Sequence, residues 1–144
     1  MPLRIELKPR ERILIGDCVI TNSDQRTRFV VNGRVPILRE KDIMTAKRAT
    51  SPAKRIYLAI QLMYTAHDPR QHHDIYFALL HDFLEAAPSG RPIIEAMNNR
   101  ILTGDLYNAL KDARRLIEFE QELLSNERRR TALRKRGNAD RRPT

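Results

Sequence analysis

The sequence predicts an α+β chain: a small N-terminal antiparallel β unit of about five short strands, an antiparallel bundle of about four helices, and a basic tail. Three observations predict it. Apolar residues recur at every second position ahead of residue 40. From residue 51 they recur at spacings of three and four. Beyond residue 127 the chain becomes strongly basic and nearly free of apolar residues. The expected units are therefore 1–48, 51–126 and 127–144.

The β unit is read strand by strand. Leu3, Ile5 and Leu7 alternate with Arg4, Glu6 and Lys8, the period of a half-buried strand, and Pro9 interrupts it. Ile13, Leu14 and Ile15 form the next segment. Gly16-Asp17 is a turn signal, and Cys18 to Thr21 resumes the pattern. Ile13, Ile15 and Val19 are the expected core anchors. Asn22 to Gln25 are all turn formers. Thr27, Phe29 and Val31 then alternate with Arg26, Arg28 and Val30. Asn32-Gly33 is the strongest short hairpin signal in the chain, and Val35 to Leu38 closes the series. Residues 40–50 fit a short helix or an extended exit equally well.

Thr50-Ser51-Pro52 supplies a helix cap and a proline suited to the first turn. The helix that follows, AKRIYLAIQLMYTA, is apolar nearly all round and should lie centrally. Asp68-Pro69 repeats the start signal for RQHHDIYFALLHDFLEAA, which Pro88 and Gly90 end. In RPIIEAMNNRIL, Ile94, Met97 and Ile101 share a face, and Gly104 stops the helix. The fourth and longest helix carries a stripe of Leu106, Leu110, Ala113, Ile117 and Leu124, with Lys111, Arg114 and Glu118 on its polar side. From Glu127 onward there is too little to bury to offset ordering entropy, so no order is expected there in isolation.

Several function classes fall away. No apolar run reaches the ~18 residues of a membrane-spanning helix, and the N-terminus has no apolar signal-peptide segment. The single cysteine, Cys18, has no intramolecular disulfide partner, which fits a reducing, cytoplasmic setting. There is no Gly-rich phosphate loop, no CxxC and no HExxH, so neither a catalytic step nor a cofactor is expected. His72 and His73 are adjacent and would point about 100° apart on a helix. His81 lies more than two turns away and His67 precedes the helix, so no metal site is expected. His81 and Asp82 are read as a polar pair on a helix face. Glu11, Asp17, Glu40 and Asp42 neighbour arginines and are read as structural ion-pair members.

Charge placement is more directed. The formal net charge is +9. Residues 1–50 carry eleven Lys/Arg against six Asp/Glu, residues 51–127 eight against eleven, and residues 128–144 eight against one. Basic ends around a mildly acidic middle are the footprint of a polyanion binder. The candidates for RNA contact are Lys8, Arg10, Arg26, Arg28, Arg34, Arg39 and Lys41, with the arginine-rich tail adding non-specific affinity. Arg26 and Arg28 share one strand face because i and i+2 point the same way. Phe29 is the one aromatic of the β unit and its parity puts it in the core. A stacking platform is thus missing there, and recognition would rest on arginine, backbone groups and shape. The alternative is a protein-binding module that uses Tyr57, Tyr64, Tyr76 and Tyr107 as interface aromatics on the acidic helical part. Against it stands a bundle core in which each hydroxyl reaches water. A third expectation is a homo-oligomer formed through the β edges.

The blocks LKPRERILIG, NGRVPILREKDIM and SPAKRIYLAIQLMYT occur in this order, and with them the chain from Met1 to about Ser125 resembles the flagellum biosynthesis repressor FlbT family of α-proteobacteria. That resemblance implies a post-transcriptional regulator that associates with the 5′ untranslated region of flagellin mRNA and promotes its degradation. It implies the flagellar regulator FlaF as an opposing partner; flagellin or a flagellar chaperone is the partner expected of the protein-binding alternative. A narrower resemblance covers the β unit: ERILIGDCVIT and VPILREKDI are similar to the carbon storage regulator family of RNA-binding proteins. This implies five short strands, an interleaved dimer and an RNA surface that includes an arginine at the end of the last strand, matched here by Arg39. Glu6 and Leu7 stand where that family has threonine and arginine, a departure from its GGA-reading surface.

Overall fold

The computed structural model describes residues 2–140. Five short antiparallel strands come first: β1 Leu3–Leu7, β2 Arg12–Ile15, β3 Cys18–Thr21, β4 Thr27–Val31 and β5 Ile37–Arg39. Four helices follow: α1 Pro52–Thr65, α2 His73–Ala86, α3 Arg91–Leu102 and α4 Leu106–Asp140. Short 3-10 turns occupy Glu40–Asp42, Pro69–His72 and Pro88–Gly90. The α+β class is the one the sequence predicts.

The strands form two sheets. β1 and β4 make a ribbon, and β3, β2 and β5 pair in that order. Gly16-Asp17 joins β2 to β3, with Gly16 at φ 66°, the left-handed region that suits glycine. Asn32-Gly33 does not make the expected hairpin. β4 pairs with β1 and β5 with β2, so residues 32–36 carry the chain from one sheet to the other. Turn chemistry bends the chain locally, but apolar burial chooses the strand partner: β1 against β4 places Ile5 opposite Phe29 on the covered side.

The core has two parts. Ile5, Leu7 and Ile13 are buried together, with Ile15, Phe29, Val31 and Ile37 packed against them. The larger part holds the helices, and it also contains Leu14 and Leu38. β2 is therefore buried on both faces, with Ile13 toward the ribbon and Leu14 toward the helices. An unbroken apolar run such as Ile13-Leu14-Ile15 is the sequence form of a two-faced strand. Val19, expected in the core, is 57% exposed instead. β3 pairs only with β2 and no layer covers it, so all four of its residues are exposed.

Ser51 caps α1, its hydroxyl accepting the Lys54 amide at 3.3 Å, with Pro52 opening the helix. A second cap comes from far away: the Glu120 carboxylate of α4 accepts the Ala53 amide at 2.9 Å. α1 buries Ala53, Ile56, Tyr57, Ala59, Ile60, Gln61 and Met63 between α2 and α4, the central place its composition predicts. Ile94, Met97 and Ile101 form the buried face of α3, again as expected. The α4 stripe differs. Its buried residues include Ala109, Leu110, Ala113 and Leu116, whereas Leu124, at the edge of the bundle, is 52% exposed. Residues 127–140, for which no order is expected from composition, continue α4 as helix. Helical hydrogen bonds need no tertiary partner, and Arg, Leu, Ala and Lys are good helix formers. Residues 141–144, the rest of that expectation, lie outside the described residues. Among the described residues no helix is long and apolar enough to cross a membrane.

Candidate nucleic-acid interface

The candidate interface is built on the turn between β1 and β2. Lys8-Pro9-Arg10-Glu11 closes with the Glu11 amide donating to the Lys8 carbonyl at 3.1 Å. Arg10, third in the turn, sits at φ 62°. Proline second and a left-handed residue third define a type II turn, whose third position favours glycine. Arg10 holds this conformation because its amide donates to the Ser23 carbonyl at 2.9 Å. Asn22 adds the main brace. Its Nδ2 donates to the carbonyls of Lys8 at 2.8 Å and Gln25 at 2.9 Å, while its Oδ1 accepts the Thr27 hydroxyl at 2.8 Å. Sequence reasoning sees Asn22 only as a turn former; its hub role depends on a contact across fourteen residues.

Glu11 organises the charges. Its carboxylate accepts the Lys8 amide at 2.9 Å and lies 3.5 Å from the Arg39 guanidinium. The amide hydrogen bond, then the Arg39 charge, hold its carboxyl below the usual glutamate range against an opposing upward effect of desolvation. Arg39 also donates to the backbone carbonyl of Glu6 at 2.6 Å. Lys8, Arg10, Arg39 and Lys41, four of the expected RNA-contact residues, line one open depression of about 460 Å³ with Pro9, Glu11 and Glu40.

Arg26 and Arg28 are placed elsewhere. Both lie on the exposed side of the ribbon and flank Glu6, with N···O distances of 3.1 and 3.8 Å. Arg28 and Arg4 line a second depression of about 410 Å³. Arg34 is exposed on the connection from β4 to β5 and lines neither depression. Arg4 is not among the residues that charge placement singles out, although its parity with Glu6 puts it on the polar side. It lines the ribbon depression and also a third one, of about 500 Å³, beside Arg39, Lys41, Tyr64 and Tyr107. Arg4 is thus the link between the two arginine groups.

The third depression supplies what the β unit lacks. Tyr107, from the start of α4, is 46% exposed and carries the Lys111 ammonium 5.0 Å from its ring centroid. Tyr64 lies 6.2 Å from it, ring to ring, and accepts the Ile37 amide at 3.2 Å, which fixes the end of β5 against α1. The four tyrosines therefore do not share one exposed surface. Tyr57 and Tyr76 are buried, and their hydroxyls donate inward, to the Asp42 carbonyl and to Asn98 Oδ1. Burial raises the pKa of both hydroxyls, so both remain protonated donors.

The ion-pair reading holds for Glu11 with Arg39 and for Asp42, which meets Arg114 at 2.6 Å. Asp17 and Glu40 make no ion pair among the described residues. His81 pairs with Glu85 at 3.1 Å, one turn on, in place of its neighbour Asp82.

The family model described as flagellar protein FlbT matches residues 3–124. A probable flagellum biosynthesis repressor protein FlbT 1 of Bradyrhizobium diazoefficiens is 58% identical over 124 residues, covering 85% of each chain. A probable flagellum biosynthesis repressor protein FlbT from Rhodopseudomonas palustris is 56% identical over 125 residues, 87% of this chain and 99% of its own. The flagellum biosynthesis repressor protein FlbT of Caulobacter vibrioides is 30% identical over 131 residues, 88% of this chain and 92% of its own. No solved structure gives a significant match. The turn, the ribbon and Tyr107 fall inside the matched residues, and α4 beyond Leu124 falls outside them.

Proposed function

The chain belongs to the FlbT family of flagellar proteins, and on that premise we propose that it represses flagellum biosynthesis by binding the 5′ untranslated region of flagellin mRNA. The observation that carries this reading is the depression where Arg4, Arg39 and Lys41 meet Tyr107. Single-stranded RNA is held by cations on its phosphates and by rings on which bases stack. The sheet supplies the first and the start of α4 supplies the second. Lys8 and Arg10 extend the phosphate track along the β1–β2 turn, and Arg28 extends it across the ribbon. The reading assigns no bond-breaking step to the chain: the message is removed by recruited ribonuclease or silenced by blocked translation.

Fluorescence anisotropy with a labelled flagellin leader and a scrambled RNA of equal length tests it. The leader should bind more tightly, and log affinity should fall with log salt by roughly 0.7 per neutralised phosphate. A flat salt response, or equal affinity for both RNAs, would sink the reading.

A further inference from the structure

A groove of about 400 Å³ lies where α2 ends against α4, far in sequence from the RNA-contact candidates. Phe83, Ala86, Leu123 and Leu124 give it an apolar floor, and the exposed Asp82 and Glu127 stand on its rim, while Glu120 lines it as a buried carboxylate held by the Ala53 amide. The C-terminal carbonyl end of α2, with its partial negative charge, opens onto the same place. Asp82 and Glu127 make no ion pair among the described residues. An apolar channel edged by carboxylates and a helix C-terminus fits a basic helix.

Such a helix is present in this chain. Residues 128–135 of α4 include Arg128, Arg129, Arg130, Arg134 and Lys135, with all side chains exposed. They cannot occupy the groove of their own molecule. α4 already forms one wall through Leu123, Leu124 and Glu127, and a helix advancing ~1.5 Å per residue carries the later residues steadily away from it. The occupant must come from another copy.

The wall and the extension are each other's complement when reversed. A second depression on α4 is lined by Leu124, Glu127, Arg128, Thr131, Ala132 and Lys135. Laid antiparallel on a second copy, this stripe sets Glu127 opposite Arg128 and Leu124 opposite Thr131. A two-fold axis makes each pair twice, the condition for a closed, isologous contact. We propose that two copies dock through their α4 extensions, each placing its basic residues at the acidic groove of the other. The depression lined by Arg4, Arg39, Lys41 and Tyr107 shares no residue with this contact.

Sedimentation equilibrium on the ribonuclease-treated full chain at low ionic strength tests the docking. The expected result is a dimer. E127R and R128E, both at exposed positions, each place like charges opposite one another and should raise the dimer dissociation constant about tenfold or more. The E127R/R128E chain, with unchanged net charge, should return it to within about threefold of the native value. Thermal melts of the variants under dimer-disrupting salt should match the native chain. A monomeric native chain would overturn the proposal. So would a dimer indifferent to both single reversals, as pairing through the β3 edge would give, or a double variant that fails to restore association. Saturable binding of an unrelated basic helical peptide to a monomeric chain would assign the groove to a different protein.

Discussion

The Arg39 guanidinium donates to the backbone carbonyl of Glu6 at 2.6 Å, so the last strand of one sheet is fastened to the first strand of the other. Glu6 and Arg39 are not ladder partners, and the bond crosses between sheets that share no backbone pairing. An arginine chosen from the sequence as an RNA contact is therefore also a clamp.

Removing the clamp should show as a loss of stability before any loss of binding. Arg39→Ala should cost about 1.5–2 kcal/mol, the low end of the range for a hydrogen bond to a charged group, because the side chain is half-exposed. Urea melts measure it. Arg39→Lys keeps the charge but cannot reach both Glu6 and Glu11, and should recover less than half. An unchanged midpoint for Arg39→Ala would show that the bond contributes nothing net.

Arg10 holds a glycine-type conformation without being glycine. Arg10→Gly should stabilise the chain by about 1 kcal/mol by relieving that strain. The substitution also removes the ion pair between Arg10 and Asp24, but both side chains are exposed and such pairs contribute little. A thermal scan should show a raised Tm, and RNA affinity should fall at the same time. Strain kept at a binding turn predicts this opposition; a fall in both would refute it.

Asp112 is a buried carboxylate between Arg100 at 2.6 Å and Arg115 at 2.9 Å. Its Oδ2 takes the Arg100 contact without hydrogen-bond geometry, so the attraction there is chiefly one of charge. Asp112→Ala should destabilise by about 2–3 kcal/mol, below the usual loss for a broken buried pair because both arginines can turn to water. Denaturant midpoints with a constant m-value would establish it.

Glu11 gives a pH dependence of known sign. Its folded pKa lies below the ordinary value of 4.5, so its contribution is complete above that value and is lost as pH falls through the folded pKa. Stability of the native chain should drop below about pH 4.5 more steeply than that of Glu11→Gln. Carboxyl NMR titration reads the Glu11 midpoint directly, and a midpoint at or above the ordinary value would contradict the geometry.

Tyr107 separates stacking from charge. Tyr107→Ala should weaken leader binding by about 1–3 kcal/mol with the salt slope unchanged, and Tyr107→Phe should restore it. Equal loss in both variants would assign the effect to the hydroxyl and remove the stacking role.

Much of the fold could be read from local pattern. Ser51-Pro52 and Asp68-Pro69 each announce a helical start because a cap is a contact between near neighbours. Ile94, Met97 and Ile101 follow from helical spacing alone. What fails is partner choice. Asn32-Gly33 says only that the chain bends; it cannot say that Thr27–Val31 returns to Leu3–Leu7. Val19 looks like core because alternation shows which residues share a face, not whether anything covers that face. In the site, positive charge is legible and grouping is not. Lys8, Arg10, Arg39 and Lys41 meet because Asn22 and Glu11 fold the turn onto the end of β5. Tyr107 is visible as an aromatic, but only the packing of α4 beside β5 brings it to the arginines of the sheet.

Leu14 and Leu38 belong to strands, yet they are buried among the helices. The sheet therefore has no separate melting temperature of its own to lose. When the helices come apart, the strands lose the floor on which they rest, and the chain should unfold in one calorimetric transition. Anything that grips or loosens the helices changes the free energy of the sheet by mass action, without touching a single arginine.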